Sequence, residues 1–304
     1  MISRTVKQAL QQFVPAENIR YEEPLKNHTT FRIGGPADCM ISVDSAVQMQ
    51  NILWYLRQVD LPFFILGNGS NLLVGDGGYP GVVLRMTDGM NAVTVDGCRV
   101  RAQAGASMAK AARVAMEHGL TGLEFASGIP GSTGGGVIMN AGAYGGEMSQ
   151  VVESVTVLDP GGEILTLDNE TMCFGYRTSA IKTGGFVVLE CVFLLQSAPQ
   201  EEIRERMDDF AGRRREKQPL EYPSAGSTFK RPRDHFAGKL IMDAGLRGLQ
   251  VGGARVSDKH CGFIINCGDA TAADVRALME RVQEEVFTRF HVRLEPEIIM
   301  LGEF

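Results

Sequence analysis

The sequence has no hydrophobic run long enough to cross a membrane. Its longest apolar stretch, Phe186–Leu195, has ten residues and is interrupted by Glu190, whereas a membrane-spanning helix needs about 20 apolar residues. The first residues up to Phe13 lack the continuous apolar core of a signal peptide, and their apolar residues recur at helical spacing. We therefore expect a surface helix here, a cytoplasmic location and no membrane partner.

The sequence also lacks an excess of basic residues. Lys and Arg together number 30 against 36 Asp and Glu, so the net charge is -6. A chain of this charge has no global positive field that would hold a phosphate backbone. Nucleic acid is therefore not an expected partner.

Paired cysteines are missing as well. The six cysteines, at positions 39, 98, 173, 191, 261 and 267, form no CxxC pair, so neither a metal site nor a disulfide framework is expected. Most of them lie in apolar, strand-like stretches, and we expect Cys261 and Cys267 to be buried strand thiols. Free thiols fit a reducing cytosol.

A chain of 304 residues is long enough for two or three compact units, because domains commonly hold about 100 to 200 residues. Helical and strand-like periodicities alternate along it, which predicts a mixed α and β structure. Asp159–Gly162 predicts a tight turn between the strands Val151–Leu158 and Glu163–Leu167. A domain boundary is expected near Arg213–Arg215, at the end of a helix that begins at Glu201.

The remaining elements are predicted from the same periodicities and from their boundary residues. Asp44 or Ser45 is expected to cap a helix that reaches Val59, and Gly119 to end a helix that begins near Ser107. Further strands are expected at Phe63–Leu66, Leu72–Val74, Val82–Met86, Ala92–Val95, Arg99–Ala104, Phe186–Leu195, Gly262–Cys267 and Glu297–Leu301, and further helices at Ala237–Gly245 and Ala272–Phe290.

Two glycine-rich segments stand out among the 36 glycines. The first is the turn Gly67–Asn71. The second, Gly128–Gly136, is followed by a further glycine-rich stretch, Asn140–Gly146. Glycine lets the backbone approach a phosphate closely and present successive amide hydrogens to it, although either segment alone is as readily explained as a tight turn. Together they favour a large anionic cofactor.

Neither segment matches the common nucleotide-binding fingerprints. A dinucleotide fingerprint would need a third glycine where Leu72 follows Gly67 and Gly69. A phosphate loop would need Ser or Thr after Gly238 and Lys239. A Rossmann domain and a P-loop are therefore excluded.

The glycine-rich segments resemble the FAD-binding loops of the UDP-N-acetylenolpyruvoylglucosamine reductase family, which belongs to the vanillyl-alcohol-oxidase-like flavoproteins. The similarity rests on Leu66–Leu72, Gly128–Gly131 and Asn140–Gly145. It continues in the family's order through Asn27–Phe31, Gly175–Ser179, Ala225–Phe229, Gly252–Ala254 and Leu294–Ile298, and thus covers nearly the whole chain.

The resemblance implies an α+β fold, in which a vanillyl-alcohol-oxidase-like (PCMH-type) FAD-binding fold is joined to a separate C-terminal substrate domain. FAD-binding subdomains are expected at 1–66 and 67–200, with the FAD domain itself at about 32–198, and the substrate domain at 213–304. FAD is expected to bind noncovalently, because no histidine or cysteine matches a position of covalent flavin attachment. His28 is expected to have a structural role. No metal ion is expected. The implied cofactor-binding residues are Gly67, Asn68, Gly69, Ser70, Asn71, Leu72, Gly128, Ile129, Pro130, Gly131, Thr133, Gly134, Asn140, Ala141, Gly142 and Ala143.

The resemblance also implies the reaction. NADPH reduces FAD, which then passes hydride from N5 to C3 of UDP-N-acetylglucosamine enolpyruvate, giving UDP-N-acetylmuramate for peptidoglycan. The enolate-like intermediate needs cationic or hydrogen-bonding groups and a proton at C2. Arg177 matches the family's carboxylate-binding arginine, Ser227 its proton donor to C2 and Glu297 its catalytic glutamate.

Taken without the motifs, these residues have simpler interpretations. An isolated arginine such as Arg177 is commonly a solvated surface residue, and a serine after glycine, such as Ser227, commonly caps a turn. Glu295 is easily confused with Glu297. We expect the two carboxylates around Pro296 to face opposite sides of an extended segment, so that only Glu297, which aligns with the family's position, faces the substrate.

The resemblance further implies substrate-binding residues. Lys217, in Lys-Gln-Pro, matches a family lysine near the substrate, whereas Arg213–Arg215 are expected to be only a solvated helix end. Lys230, Arg231, Lys259 and His260 are weaker candidates for contacts with the sugar nucleotide. Each of them is also explained as surface charge.

The short span between Arg177 and Ser227 has no room for the loop that carries a substrate-gripping tyrosine in one branch of the family, so the chain resembles the loop-lacking type II branch. We expect a monomer. Two alternatives remain: an FAD-dependent sugar or alcohol oxidase, which would not need the pair Ser227 and Glu297, and a non-catalytic nucleotide-sugar binding protein, which would have lost one of the three chemical residues.

Overall fold

A computed structural model describes residues 2–86 and 88–304. Its helices are α1 (Arg4–Leu10), α2 (Ala46–Gln58), α3 (Met108–Glu117), α4 (Thr133–Ile138), α5 (Ala180–Gly184), α6 (Gln200–Lys217), α7 (Ala237–Asp243) and α8 (Ala272–Phe290). Its strands are β1 (Ile19–Pro24), β2 (Pro36–Val43), β3 (Phe63–Leu66), β4 (Leu72–Val74), β5 (Tyr79–Met86), β6 (Val93–Asp96), β7 (Arg99–Gln103), β8 (Leu120–Thr121), β9 (Gly142–Ala143), β10 (Gly146–Glu147), β11 (Val152–Leu158), β12 (Ile164–Asp168), β13 (Val187–Leu194), β14 (Gln196–Ser197), β15 (Gln250–Val251), β16 (Ala254–Val256), β17 (Ile264–Asn266) and β18 (Ile299–Leu301).

The chain forms two compact units, each assembled from separate segments. Unit 1 comprises Met1–Arg20, Cys39–Asn68 and Gly81–Arg214, and unit 2 comprises Tyr21–Asp38, Gly69–Pro80 and Arg215–Phe304. The division falls inside the first glycine-rich turn, between Asn68 and Gly69, and inside α6.

Unit 1 is built around a five-stranded antiparallel sheet with the order β12-β11-β13-β7-β6. The central strand β13 is apolar at nearly every position and is buried along most of its length, as expected for a strand covered on both faces. The alanines of α3 pack with these strands in one hydrophobic core. In the same unit β3 pairs in parallel with β5, with Leu66 opposite Arg85, so that Gly67 follows directly after the carboxyl end of β3.

Unit 2 packs α7 and α8 against the small antiparallel sheet β15-β16-β17. Thr271 and Asp274 form a capping box at the start of α8, which satisfies main-chain N–H groups that the helix itself leaves free. The Asp274 carboxyl accepts a hydrogen bond from the Thr271 N–H, and this bond is the main cause of its lowered pKa. In the same unit β4 pairs in parallel with β18, with Leu72 opposite Ile299.

The periodicities predicted most of these elements to within a few residues. Ser45, rather than Asp44, caps α2, and Gly119 follows the end of α3 with φ +66°. No helix was predicted in the second glycine segment, but Thr133–Ile138 form α4 with Ser132 as its cap. Cys267 was also predicted wrongly: it is exposed and lies just after β17, whereas Cys261 is buried but outside a strand.

None of the helices within residues 2–86 and 88–304 combines the length and apolar character needed to cross a bilayer. The longest, α6 and α8, are rich in charged residues.

Candidate active site

The two glycine-rich segments meet in unit 1. A Cβ atom at Gly67 would lie 2.4 Å from the Ser132 hydroxyl oxygen, so a side chain there would collide with the second segment. The Asn68 side-chain amide donates a hydrogen bond of 3.3 Å to the main-chain oxygen of Pro130. The sequence assigned both segments to one function, and the structure shows that they are in contact.

In unit 2, the rest of the first turn packs on the Asn27–Phe31 motif. Gly69 has φ +60°, and a Cβ atom there would lie 2.2 Å from the main-chain oxygen of His28. The main-chain N–H of Thr30 donates to the Gly69 oxygen at 3.2 Å. His28 itself is half-buried, and its Nε2 lies 2.7 Å from the Glu23 carboxylate.

The first turn leaves its amide hydrogens available. Among the described residues, no hydrogen bond is donated by the main-chain N–H of Asn68, Gly69, Ser70 or Asn71. Successive amide groups that no protein acceptor uses are the usual partners of phosphate oxygens in a turn. The turn therefore offers the kind of donors that phosphate oxygens require.

The second segment uses some of its glycines for packing instead. The N–H of Gly134 donates to the Ala104 oxygen at 3.0 Å, and a Cβ on Gly136 would lie 2.5 Å from the sulfur of Met108. These two glycines let α4 pack closely on the core of unit 1. The amides of half-buried Gly128 and buried Gly131, in the first part of the segment, donate no hydrogen bond within the described chain.

Arg177 lies against the glycine-rich stretch Asn140–Gly146 that follows the second segment. Its Nη2 donates to the Gly142 oxygen at 3.4 Å, and its guanidinium carbon lies 5.3 Å from the centre of the Tyr176 ring. The backbone of Arg177 is left-handed, with φ +56°. Buried Asn140 fixes this arrangement, because its side-chain amide donates to the Gly175 oxygen at 3.1 Å. Arg177 is thus half-buried and held in place, unlike a solvated surface arginine.

Ser227 and Glu297 lie on paired segments of unit 2. The N–H of Glu297 donates to the Thr228 oxygen at 2.8 Å, and Thr228 is itself buried and bonded to Ile264. Ser227, next to this pair, is exposed, and its hydroxyl makes no hydrogen bond within residues 2–86 and 88–304. It does not cap the turn after Gly226, so the simpler interpretation of Ser227 does not hold.

The two glutamates around Pro296 differ in their surroundings. Glu295 is 71% exposed and pairs with Lys230, whose Nζ lies 3.0 Å from the Glu295 carboxylate. Glu297 is half-buried, and its main-chain oxygen accepts a hydrogen bond of 3.1 Å from the Asn71 side-chain amide. The two glutamates therefore differ in exposure, although side chains two residues apart in an extended segment lie on the same face.

The predicted substrate-binding residues of unit 2 have varied surroundings. Lys217 is exposed at the end of α6, and the Arg231 guanidinium carbon lies 4.0 Å from the centre of the Phe236 ring. Lys259 donates to the Arg215 oxygen at 2.8 Å. His260 is half-buried, which lowers its pKa, and its Nδ1 accepts from the Gly262 N–H at 3.1 Å. A neutral His260 therefore has its remaining proton on Nε2.

One residue near the glycine segments was missed at the sequence level. Arg214 was expected to be part of a solvated helix end, but it is half-buried, and its side chain would lie 3.2 Å from a Cβ atom on Gly128. A signal was present in the sequence, because Arg206, Phe210 and Arg214 recur every four residues and so share one face of α6. Arg213 points elsewhere and pairs with Asp209 at 2.7 Å.

Two family models match the chain. A model described as FAD binding domain matches residues 37–168, and one described as UDP-N-acetylenolpyruvoylglucosamine reductase, C-terminal domain, matches residues 218–301. The first match includes both glycine-rich segments, and the second includes Ser227 and Glu297.

The chain is also similar to whole proteins. It is 51% identical over 294 residues to a UDP-N-acetylenolpyruvoylglucosamine reductase of Caldanaerobacter subterraneus subsp. tengcongensis, covering 97% of each chain. It is 48% identical to the protein of the same name from Agathobacter rectalis, with both chains covered in full. Among solved structures, a UDP-N-acetylenolpyruvylglucosamine reductase from Thermus caldophilus matches with a TM-score of 0.81 at 37% identity, covering 93% of this chain and 98% of that one.

Proposed function

Because the chain belongs to the UDP-N-acetylenolpyruvoylglucosamine reductase family, we propose that Arg177, Ser227 and Glu297 are the catalytic residues of its reductase activity. The chain is an FAD-dependent oxidoreductase of peptidoglycan precursor synthesis that uses NADPH. It reduces UDP-N-acetylglucosamine enolpyruvate to UDP-N-acetylmuramate. Its FAD-binding domain and its C-terminal domain agree with the fold class expected from the sequence.

The pairing of Ser227 and Glu297 segments in unit 2 is the observation that carries the proposed roles. When bound, FAD supplies the hydride that reaches C3 of the enolpyruvyl group. Ser227 then gives a proton to C2, and its hydroxyl suits this task because no acceptor in the described chain engages it. An unperturbed hydroxyl is a poor acid, so Ser227 needs a neighbouring group that stabilises its negative charge.

Glu297 and Arg177 would manage the negative charge that builds up during the reaction. Arg177 offers a planar fork of donors that matches a carboxylate and stays charged at any working pH. Glu297 would donate a hydrogen bond to the developing enolate in its protonated form, or orient a water molecule in its ionised form. Its half-buried position, compared with exposed Glu295, supports this assignment.

The binding residues are proposed along the same lines. We propose that Lys217, Lys230, Arg231, Lys259 and His260 contact the sugar nucleotide, and that the glycine-segment residues named above hold FAD. The main-chain amides of the Gly67–Asn71 turn that donate no hydrogen bond support the proposed FAD binding. We also propose FAD-binding subdomains at 1–66 and 67–200 and a substrate domain at 213–304, the last of which contains the C-terminal model match at 218–301.

We further propose that the chain belongs to the loop-lacking type II branch. Between Arg177 and Ser227 the described chain is occupied by α5, β13, β14 and α6, joined by short connections. The short connections between these elements support the proposed absence of the additional loop. We propose, in addition, that the protein acts as a monomer in the cytoplasm, where its three exposed free cysteines would remain reduced.

Anaerobic reduction and reoxidation test the proposed function. NADPH is expected to bleach the yellow holoenzyme, and the enolpyruvyl UDP-sugar to restore the colour. Recovery of colour with oxygen alone, and none with the UDP-sugar, would instead indicate an oxidase. A folded preparation that takes up no FAD would contradict both enzymatic functions.

A further inference from the structure

One face of α6 packs against three positions in and around the glycine-rich region of unit 1. Nη2 of Arg206 lies 3.4 Å from the buried carboxylate of Glu124, which precedes the second glycine segment. Phe210 stacks on Tyr144, in the following stretch Asn140–Gly146, with ring centres 4.6 Å apart and planes 9° apart. Arg214, one turn further along α6, lies against Gly128.

Arg214 differs from Arg206 because it has no partner in the protein. Within the described chain, no carboxylate and no hydrogen-bond acceptor engages its guanidinium. Burial lowers the pKa of Arg214, yet an arginine side chain remains charged at any working pH. A half-buried cation without a counter-charge is costly, and such groups are commonly completed by an anionic ligand.

The neighbour of Arg214 is suited to such a ligand. Gly128 has no side chain to fill the space beside the guanidinium, and its amide, like that of Gly131, donates no hydrogen bond within residues 2–86 and 88–304. A guanidinium next to free main-chain amides provides the donors that phosphate oxygens require.

We propose that Arg214 binds a phosphate oxygen of a diphosphate at the Gly128–Gly131 turn, and that this diphosphate belongs to FAD. The inference rests on the FAD dependence of the family and not on the catalytic roles of Arg177, Ser227 and Glu297. The bound nucleotides FAD, NADPH and the UDP-sugar share this chemistry, so the test must distinguish among them.

The test compares Arg214→Gln with Arg213→Gln in the full-length holoenzyme. Arg213 is a matched control, because it is the adjacent arginine but pairs with Asp209 instead of facing glycine. The dissociation constant of FAD is measured from the flavin fluorescence released on dilution, at low and high salt. Loss of a charge-assisted hydrogen bond predicts FAD binding weakened about 10- to 100-fold in Arg214→Gln and unchanged in Arg213→Gln.

The salt series and a second variant sharpen the result. If Arg214 contacts a phosphate through its charge, the difference in FAD affinity between wild type and Arg214→Gln becomes smaller as salt is added. Arg214→Lys should then recover part of the FAD affinity. Thermal unfolding of the holoenzyme with saturating FAD checks that the variants fold.

Two results would overturn the proposal. One is an FAD dissociation constant in Arg214→Gln within about twofold of wild type. The other is unchanged FAD binding with a raised KM for NADPH or for the UDP-sugar, which would assign the anion to a different nucleotide. Neither result depends on Ser227 or Glu297, so the proposal and the catalytic assignments fail independently.

Discussion

The side-chain amide of Asn71 donates a hydrogen bond of 3.1 Å to the main-chain oxygen of Glu297. The main-chain oxygen of Asn71 accepts a second bond, of 2.9 Å, from the N–H of Ile299. Asn71 therefore holds the backbone on both sides of Ile298, at the point where β4 and β18 begin to pair. A residue of the first glycine-rich turn thus positions the proposed catalytic glutamate of the same unit.

Replacing Asn71 by aspartate should destabilise the protein more than replacing it by alanine. Alanine removes one hydrogen bond, at a cost of about 1 kcal/mol. Aspartate keeps the shape but turns a carboxylate oxygen towards the Glu297 carbonyl, which adds repulsion. Chemical denaturation of both variants at neutral pH measures the difference, and an Asn71→Asp variant as stable as wild type would contradict the role of this bond.

The two glutamates provide a matched pair for the proposed chemistry. Glu297→Gln should lower the rate of product formation by about 100-fold or more, which is the usual contribution of a general acid or base. Glu295→Gln removes an exposed ion pair with Lys230 and should leave the rate within about twofold, because exposed ion pairs contribute little. Single-turnover kinetics with the UDP-sugar measure both. An equal loss of rate in Glu297→Gln and Glu295→Gln would contradict the catalytic role proposed for Glu297.

Arg177→Lys should impair substrate binding although it keeps the charge. An ammonium group is a point charge and cannot form two parallel bonds to a carboxylate. We expect a KM for the enolpyruvyl substrate raised by about 10-fold or more, from the loss of one charge-assisted bond, while the rate of flavin reduction by NADPH changes little. If Arg177→Lys slows only flavin reduction by NADPH, Arg177 does not bind the carboxylate of the enolpyruvyl substrate.

At Gly69, the steric effect of an added side chain can be measured separately from the effect of the left-handed backbone. Gly69 and Gly97 have φ of +60° and +56°, but a Cβ on Gly69 would lie 2.2 Å from the His28 oxygen, whereas nothing lies within 4 Å of one on Gly97. Gly97→Ala should lower the free energy of unfolding by about 1–2 kcal/mol, because alanine disfavours the left-handed conformation. Gly69→Ala should cost about 1–3 kcal/mol more, because the backbone must move.

Denaturant titration of both glycine variants with FAD present provides the comparison. A loss of stability in Gly69→Ala no larger than that in Gly97→Ala would show that the turn tolerates a side chain and that the His28 contact is unimportant.

Much of the fold could be predicted from the sequence because local patterns decide it. The apolar run of β13, the cap of α3 at Ser107 and the periodic apolar face of α8 each act over a few residues. The helix α4 was missed for a physical reason. Glycine has low helix propensity, and three consecutive glycines form a helix here because α4 packs closely against Ala104 and Met108.

The candidate site was predicted as far as motifs identify residues. Periodicity alone could not assign Arg177 or Ser227, since either residue has a common structural explanation. Arg214 was missed because its burial depends on the packing of α6 against Gly128, a contact between positions far apart in the sequence. Likewise, the difference between Cys261 and Cys267 depends on the tertiary surroundings of two similar sequence environments.

The transfer of a proton by Ser227 is tested most directly by rapid mixing of the Ser227→Ala variant. Because the Ser227 side chain is exposed and makes no hydrogen bond in the described chain, the variant should fold and unfold like the wild type. Stopped-flow absorbance should show flavin reduction by NADPH at nearly the normal rate, and reoxidation by the enolpyruvyl UDP-sugar slowed by about 100-fold or more. Equal slowing of both half-reactions, or normal reoxidation, would contradict the assignment of Ser227 as the proton donor.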